Sequence, residues 1–448
     1  MKKMKLSIIT LLLTSVILLS CKKVLDTEPQ LYIDQSTSIV DKRAAQAALT
    51  GAYNALSANN YQGNTFRYVT NLLSDNIKWV GNTPTNREFD VYAIFATNSR
   101  VQDLWSAIYK TVNIANNIIE KVPTINDVTL SQADRNKQRG EAFFLRALSY
   151  FDLVRLWGTV PIVSKATQTP EDAKGIKNST TEQVYSFIKN DLDSAEILLP
   201  AVVNRNRANQ YTARALKARL YLYQKDWIKA EDFATQVIND SADFRLVKPY
   251  SQFYATKNST ESIFEVDYTI NNKNSYAGNW FQNPTSGGKK EFLPTDDFIA
   301  LLKDVNVGGS RSSLIFTVSG VTYGNMNFKI ATGEDQSYIL RLAELYLIRA
   351  EARAEQNKLE EGLKDLNLIR NRANVPSIPT INSKETLIDK IILERRVELA
   401  YESQRWFDLI RRGKAQEVLG ITDVNKLLIP IPKQEILISS DLTQNPGY

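Results

Sequence analysis

Ala218 and Ala230 stand twelve residues apart, and further along the chain Ala350 and Gly362 repeat the interval. Each pair joins two amphipathic stretches, Tyr211 to Tyr223 with Trp227 to Ile238, then Tyr338 to Gln356 with Lys358 to Ala373. Apolar residues recur in them every three or four positions, the period of a helix with one buried side. The connections are so short that the second helix must run back along the first. Small residues then belong where two helix backbones approach closely, as Ala230, Ala234 and Val237 do in the second stretch. This arrangement predicts a mainly α fold built from helical hairpins.

The spacing resembles the tetratricopeptide pattern, although its Trp, Gly and Phe signature positions are only partly filled. Generic hairpins packed through small residues are the alternative. Further helices are predicted at Asp41 to Leu56, Val101 to Val122, Ser131 to Trp157 and Thr180 to Leu199. Pro123, Gly158 and Pro200 end three of them. Asn60 to Arg100 has no sustained period and reads as a long irregular loop, a kind of segment that often carries function. From about 243 to 331 the helical pattern breaks again. Short strands are expected there at Ser262 to Tyr268 and Ser313 to Ser319, with Asn271 to Asn274 and Gly287-Gly288 as turn signals. Near the end, Pro430 and Pro432 demand an extended path.

Composition removes whole classes of chemistry. The 448 residues include no histidine and one cysteine, Cys21. Ser-His-Asp triads, Cys-His dyads and His- or thiolate-ligated zinc sites are therefore excluded. Lys2, Lys3 and Lys5 lie in a segment expected to be removed, which leaves 52 basic against 49 acidic residues. So even a balance argues against nucleic acid as a partner. No cofactor is called for, and no residue spacing supports a calcium site or any other metal site.

Lys2, Lys3 and Lys5 precede an apolar run from Leu6 to Leu19 that ends at Ser20-Cys21. The run is short for a membrane-spanning helix, and its lysine-first polarity is that of a signal peptide over residues 1–20. It resembles a bacterial lipoprotein signal, which implies lipidation of Cys21 and a tether over 21–30. Acyl chains on Cys21 would hold a soluble body at a membrane, each buried methylene adding about 0.8 kcal/mol. Lys22 and Lys23 stand where some surface-exported relatives carry acidic residues.

The densest run of charge is Glu394 to Arg412, read as one helix with Leu399, Trp406 and Leu409 on its buried side. Glu394, Glu398 and Glu402 recur every fourth residue beside arginines, a spacing expected to form solvated ion pairs. Glu402 is expected to pair with Arg405, and Asp408 with Arg411 or Arg412. These four carboxylates are also the ones a glycoside hydrolase reading would need. Trp105, Trp157, Trp227 and Trp406 lie at helical spacing and are expected in the core.

Several stretches together resemble the SusD/RagB family of outer-membrane nutrient-binding lipoproteins. They are Leu25-Asp-Thr-Glu-Pro29, Arg146-Ala-Leu-Ser-Tyr-Phe-Asp-Leu-Val-Arg-Leu-Trp-Gly158 with Val160-Pro161, Arg341 to Glu351, Leu363 to Ala373, Glu394 to Arg412, and Leu428 to Ile436 with Leu442 to Gly447. They follow the family's order over nearly the whole chain. The resemblance implies a SusD-like helical scaffold, with an N-terminal part over 31–210 and a C-terminal part over 211–448. It implies a non-catalytic protein, lipid-anchored at the outer membrane and facing the exterior, that passes oligosaccharides to a SusC-like TonB-dependent transporter. Peptide capture, as in RagB-like relatives, is the alternative, and a tetratricopeptide scaffold of the cell interior is opposed by the signal peptide.

A sugar-binding surface needs aromatic faces for the C–H patches of pyranose rings and amides or carboxylates for their hydroxyls. Trp79 fits, with Asp75 and Asn76 before it and Asn82 after it, and family resemblance places this stretch near the ligand. Packing onto the scaffold is the alternative role for Trp79. Tyr276, Trp280, Phe281 and Tyr323, outside any helical stripe, complete the candidate ligand-binding set.

Overall fold

In the computed structural model the described residues are 39–448, apart from 241, 277–290 and 326–332. The N-terminal segment with Cys21 lies outside them. The first half holds helices α1 (Lys42–Ser57), α2 (Thr65–Leu72), α3 (Pro84–Asp90), α4 (Ser99–Lys121), α5 (Gln132–Trp157), α6 (Thr181–Leu198), α7 (Gln210–Tyr223) and α8 (Trp227–Ile238), with strand β1 (Ile77–Trp79) after α2. Next come α9 (Ser251–Ala255), β2 (Ser262–Val266), β3 (Phe292–Pro294), α10 (Asp296–Lys303), β4 (Ile315–Val318), β5 (Val321–Gly324) and β6 (Ser337–Arg341). The chain closes with α11 (Leu342–Glu355), α12 (Leu359–Arg372), α13 (Lys384–Glu398), α14 (Arg405–Arg411), α15 (Ala415–Leu419) and α16 (Lys433–Ile438). The fold is mainly α.

The long helices pack as a row in which each touches the next: α1 on α4, α4 on α5, α5 on α6, α6 on α7, α7 on α8, then α8 on α11 and α11 on α12 and α13. The irregular region between α8 and α11 is thus accommodated without breaking the row. Side-chain caps start these helices where the sequence predicts. Asp41, Ser131 and Asn209 accept backbone N–H groups of the first turn, and Thr180 forms a capping box with Gln183. At the second hairpin, a Cβ on Gly362 would stand 2.9 Å from the Ala350 carbonyl oxygen. The glycine is there because α11 and α12 cross backbone to backbone.

Three expectations change. The stretch from Asn60 to Arg100 is not irregular, since it holds α2, β1 and α3. All eight residues of α2 are buried, the polar side chains Arg67, Thr70 and Asn71 included, and at two turns the helix is too short to show a sustained period. Residues 337–341 form a strand rather than the start of a helix, pairing antiparallel with β2 through Val266↔Ser337 and Ser262↔Arg341. Glu394 to Arg412 is not one helix either. α13 ends at Glu398, and α14 begins only after Tyr401 and Ser403 turn the chain at φ 62° and 66°.

Trp105, Trp157 and Trp406 are in the core, whereas Trp227 is only partly buried at the start of α8. The extended C-terminal strap lies across the end of α5. Ile429 N donates to Leu156 O at 2.9 Å and Trp157 Nε1 to Pro430 O at 2.8 Å. Because both prolines lack an N–H, they sit in the strap at no hydrogen-bonding cost, and α16 starts immediately after Pro432.

Candidate ligand-binding site

β1 and β3 form a two-stranded antiparallel ribbon with Ile77 opposite Pro294, Lys78 opposite Leu293 and Trp79 opposite Phe292. Val80 N donates to Glu291 O at 2.8 Å, so pairing continues toward the segment 277–290. β5 also lies against β3. The structure therefore gathers Trp79, Phe292 and the Tyr323 strand around one small ribbon.

Within it Trp79 is 9 % exposed. Its ring meets Phe292 edge-on at 5.5 Å, and Gly81 folds so tightly under it that a Cβ there would collide with the indole. Its backbone N–H is given to Asp90 Oδ1 at 3.0 Å. These contacts anchor Trp79 as a packed residue at the rim. Tyr323 is also buried and stacks on Phe316 with ring centres 5.4 Å apart. Tyr276 is wholly buried, lies 4.1 Å beneath the Arg67 guanidinium and accepts from Asn71 Nδ2 at 3.0 Å. Asn82 is exposed. Trp280 and Phe281 lie outside the described residues.

Asp75 and Asn76 form the corner that leads into β1, and other parts of the chain hold them. Arg405 grips both oxygens of Asp75 at 2.7 and 2.8 Å, and Arg396 reaches the same carboxylate at 3.1 Å. Burial alone would raise the Asp75 carboxyl, but the Arg405 hydrogen bonds and the two positive charges outweigh it and hold the group below its usual range. Arg396 Nε donates to Asn76 Oδ1 at 2.9 Å, while Thr295 donates through N to Asn76 O at 3.0 Å and through Oγ1 to Asp75 O at 2.7 Å. Thr295 also caps α10. So the charged stretch at 394–412 fixes the base of the ribbon.

The same stretch corrects the expected chemistry. Glu394, Glu398 and Glu402 are not solvated but buried, and their partners come from outside their own helix. Arg341 donates to Glu402 Oε1 and Oε2 at 2.8 Å each, to Glu261 Oε1 at 2.8 Å and to Glu398 Oε1 at 2.6 Å. Arg311 bonds Glu398 Oε2 at 2.8 Å and also Glu394, Arg372 bonds Glu398 and Glu261, and Arg370 bonds Glu394. Four guanidiniums thus face four carboxylates in the interior. Burial would push the Glu398 carboxyl up, but Arg372, Arg341 and Arg311 together pull it down to about 2. Arg405 pairs with Asp75 rather than Glu402. Asp408 does bond Arg411, at 2.8 Å, and also Arg395 at 2.8 Å. Every one of these carboxylates already has its cation, so none is a free acid or base for glycoside cleavage.

One surface feature escapes the sequence reading. Phe95 is 63 % exposed in the segment joining the ribbon to α4, which also carries Val80 and Val91, 41 % and 48 % exposed. Nothing in Tyr92-Ala-Ile-Phe-Ala-Thr-Asn98 distinguishes Phe95 from its buried neighbour Ile94. Among the described residues no group of three acidic or thiol side chains gathers as a metal site would require, and no helix is long and apolar enough to cross a membrane.

Comparison with known proteins agrees with this architecture. Residues 23–222 match a family described as starch-binding and associating with the outer membrane, and residues 306–426 match the SusD family. The chain is 29 % identical to SusD-like protein P2 of Formosa agariphila, over 100 % of both chains. It is 26 % identical to the starch-binding protein SusD of Bacteroides thetaiotaomicron, covering 71 % of this chain and 74 % of that one. A solved structure of a laminarin-binding SusD-like protein superposes with a TM-score of 0.80 at 24 % identity, over 91 % of this chain and 100 % of the other, a likeness of fold. The helical row, the two matched segments and the end-to-end relatives converge on one assignment: the chain belongs to the SusD/RagB family.

Proposed function

We propose that this protein is a non-catalytic lipoprotein of the outer membrane that captures oligosaccharides and passes them to a SusC-like TonB-dependent transporter. The observation that carries binding over hydrolysis is the pairing of Glu394, Glu398, Glu402 and Asp408 with buried arginines. A retaining or inverting glycosidase needs two carboxyl groups facing substrate, one of them free to hold a proton. Here those groups serve the interior. The choice of a glycan is supported by the printed roles of relatives, one starch-binding and one laminarin-binding. Anchoring through Cys21 and display on the outer face follow the lipoprotein-like leader, and the transporter follows family membership.

In this reading the ribbon is the ligand-facing rim. Asn82 supplies an amide there, Trp280 and Phe281 remain candidate ligand contacts by their residue type, and Asp75 and Asn76 position the ribbon's base. Trp79, Tyr276 and Tyr323 shape the rim from beneath. Titration of the purified protein with maltoheptaose, laminarihexaose and a set of short peptides, with chromatography of the mixtures, tests the proposal. Glycan binding without new saccharide products is the expected result. Products of cleavage, or binding of peptides alone, would overturn it.

A further inference from the structure

A cavity that shares no lining residue with the ribbon opens between α4 and the C-terminal segment. Its volume is about 260 Å³, room for about one sugar ring. Tyr109 on α4, Val163 after α5, and Ile438 and Leu442 at the chain's end form apolar walls. Trp105, Ser106, Glu435 and Ser439, which carry polar groups, line it as well. The frame is tied together on every side. Gln102 Nε2 donates to Glu435 Oε1 at 2.8 Å and to Ser106 Oγ at 3.0 Å, Tyr109 gives its hydroxyl to Pro161 O at 2.8 Å, and Ser439 Oγ reaches Ile176 O at 3.2 Å.

The polar groups are unevenly satisfied. Trp157 gives its indole N–H to Pro430 O, whereas the indole N–H of Trp105 has no protein partner among the described residues. Unlike the indole nitrogen of Trp406, it is not sealed from solvent. Glu435 uses one carboxylate oxygen on Gln102 and has lone pairs left. An occupant that met both groups would accept from an indole N–H and donate to a carboxylate. An aliphatic side chain would leave both groups unmatched, an ammonium would offer only donors, and a carboxylate would face Glu435. A hydroxyl group does both, and a hydroxylated ring also has C–H faces for Tyr109.

From this geometry we infer that the Trp105–Glu435 cavity is a saccharide-binding pocket, taking one pyranose unit of a neutral oligosaccharide. The inference rests on the proposed glycan-binding function and adds to it a pocket that the sequence-derived site does not contain.

The test is isothermal titration of the full chain with maltoheptaose and laminarihexaose, comparing wild type with Glu435→Gln and Ser106→Arg. Ser106 is exposed, so the arginine fills the cavity mouth without entering the core. Both variants are expected to bind about tenfold more weakly, the loss of one hydrogen bond to a charged group or of access, with unchanged thermal melting. A wild type that binds glycan and two variants that bind it equally well would overturn the pocket while leaving the binding function in place. A wild type that binds neither glycan would overturn the glycan reading and the pocket with it.

Discussion

The α11/α12 hairpin and the corner between α13 and α14 are near neighbours in the chain and are held by opposite means. The hairpin's own crossing is local. Gly362 meets Ala350, and Arg349 bonds both oxygens of Asp365 at 2.8 Å, sixteen residues away. The corner depends on distant partners. Glu398 meets Arg341 and Arg311, 57 and 87 residues off, and Arg405 meets Asp75 at a separation of 330. Repetition of short-range contacts makes a scaffold that tolerates an inserted region. Long-range charge pairing ties that scaffold to the ribbon, so the corner is where a single side chain should matter most.

The strongest challenge to this contrast is Glu398→Ala. It leaves Arg311, Arg341 and Arg372 buried around a missing carboxylate, and a loss of about 3–5 kcal/mol in urea unfolding is expected. A loss no larger than that of an exposed pair would show that the corner does not hold the fold. Acid should expose the same dependence. Glu398 and Asp408 are both held near about 2, below their ordinary values of 4.5 and 3.8. For Asp408, burial opposes the shift and Arg395 and Arg411 outweigh it. A depressed folded pKa gives stability that is complete above the ordinary carboxylate range and is lost as pH falls from there toward 2. Thermal melts of wild type should drop across that window, and those of Glu398→Gln should drop less steeply.

On the hairpin side, Gly362→Ala should cost about 1–3 kcal/mol, because the added methyl group meets the Ala350 carbonyl and the helices must part. Equal stability of the two proteins would mean the crossing is looser than the geometry shows. The smallest effect belongs to the ribbon's exposed pair. Lys78 reaches Asp296 at 3.1 Å with both side chains open to solvent, so Lys78→Ala should change unfolding by less than about 0.5 kcal/mol.

What could be read in the sequence follows the same division. Helices α1, α4 to α8 and α12 are predicted to within a residue or two, since each has one apolar side and all but α12 have a side-chain N-cap. α2 is missed because it is only eight residues long and its start carries no side-chain cap, and β6 is hidden because its five residues continue into the apolar period of α11. The glutamates of 394–402 carry a helical spacing that suggests partners on the same helix, and no local rule points to Arg311 or Arg341 instead. At the candidate site, the sequence reading puts Trp79 in an irregular loop, whereas the structure puts it in the paired strand β1. Composition could not show that the rings of Trp79, Tyr276 and Tyr323 are turned inward, since that depends on Phe292, Arg67 and Phe316 from other parts of the chain.

The central claim is that the protein binds glycans and does not cut them. Incubation with maltoheptaose and laminarihexaose, followed by calorimetry and chromatography of the same samples, addresses it most directly. The account predicts a saturable binding isotherm for at least one glycan with the oligosaccharide recovered intact. Release of shorter saccharides, or no heat of binding with either, would contradict it.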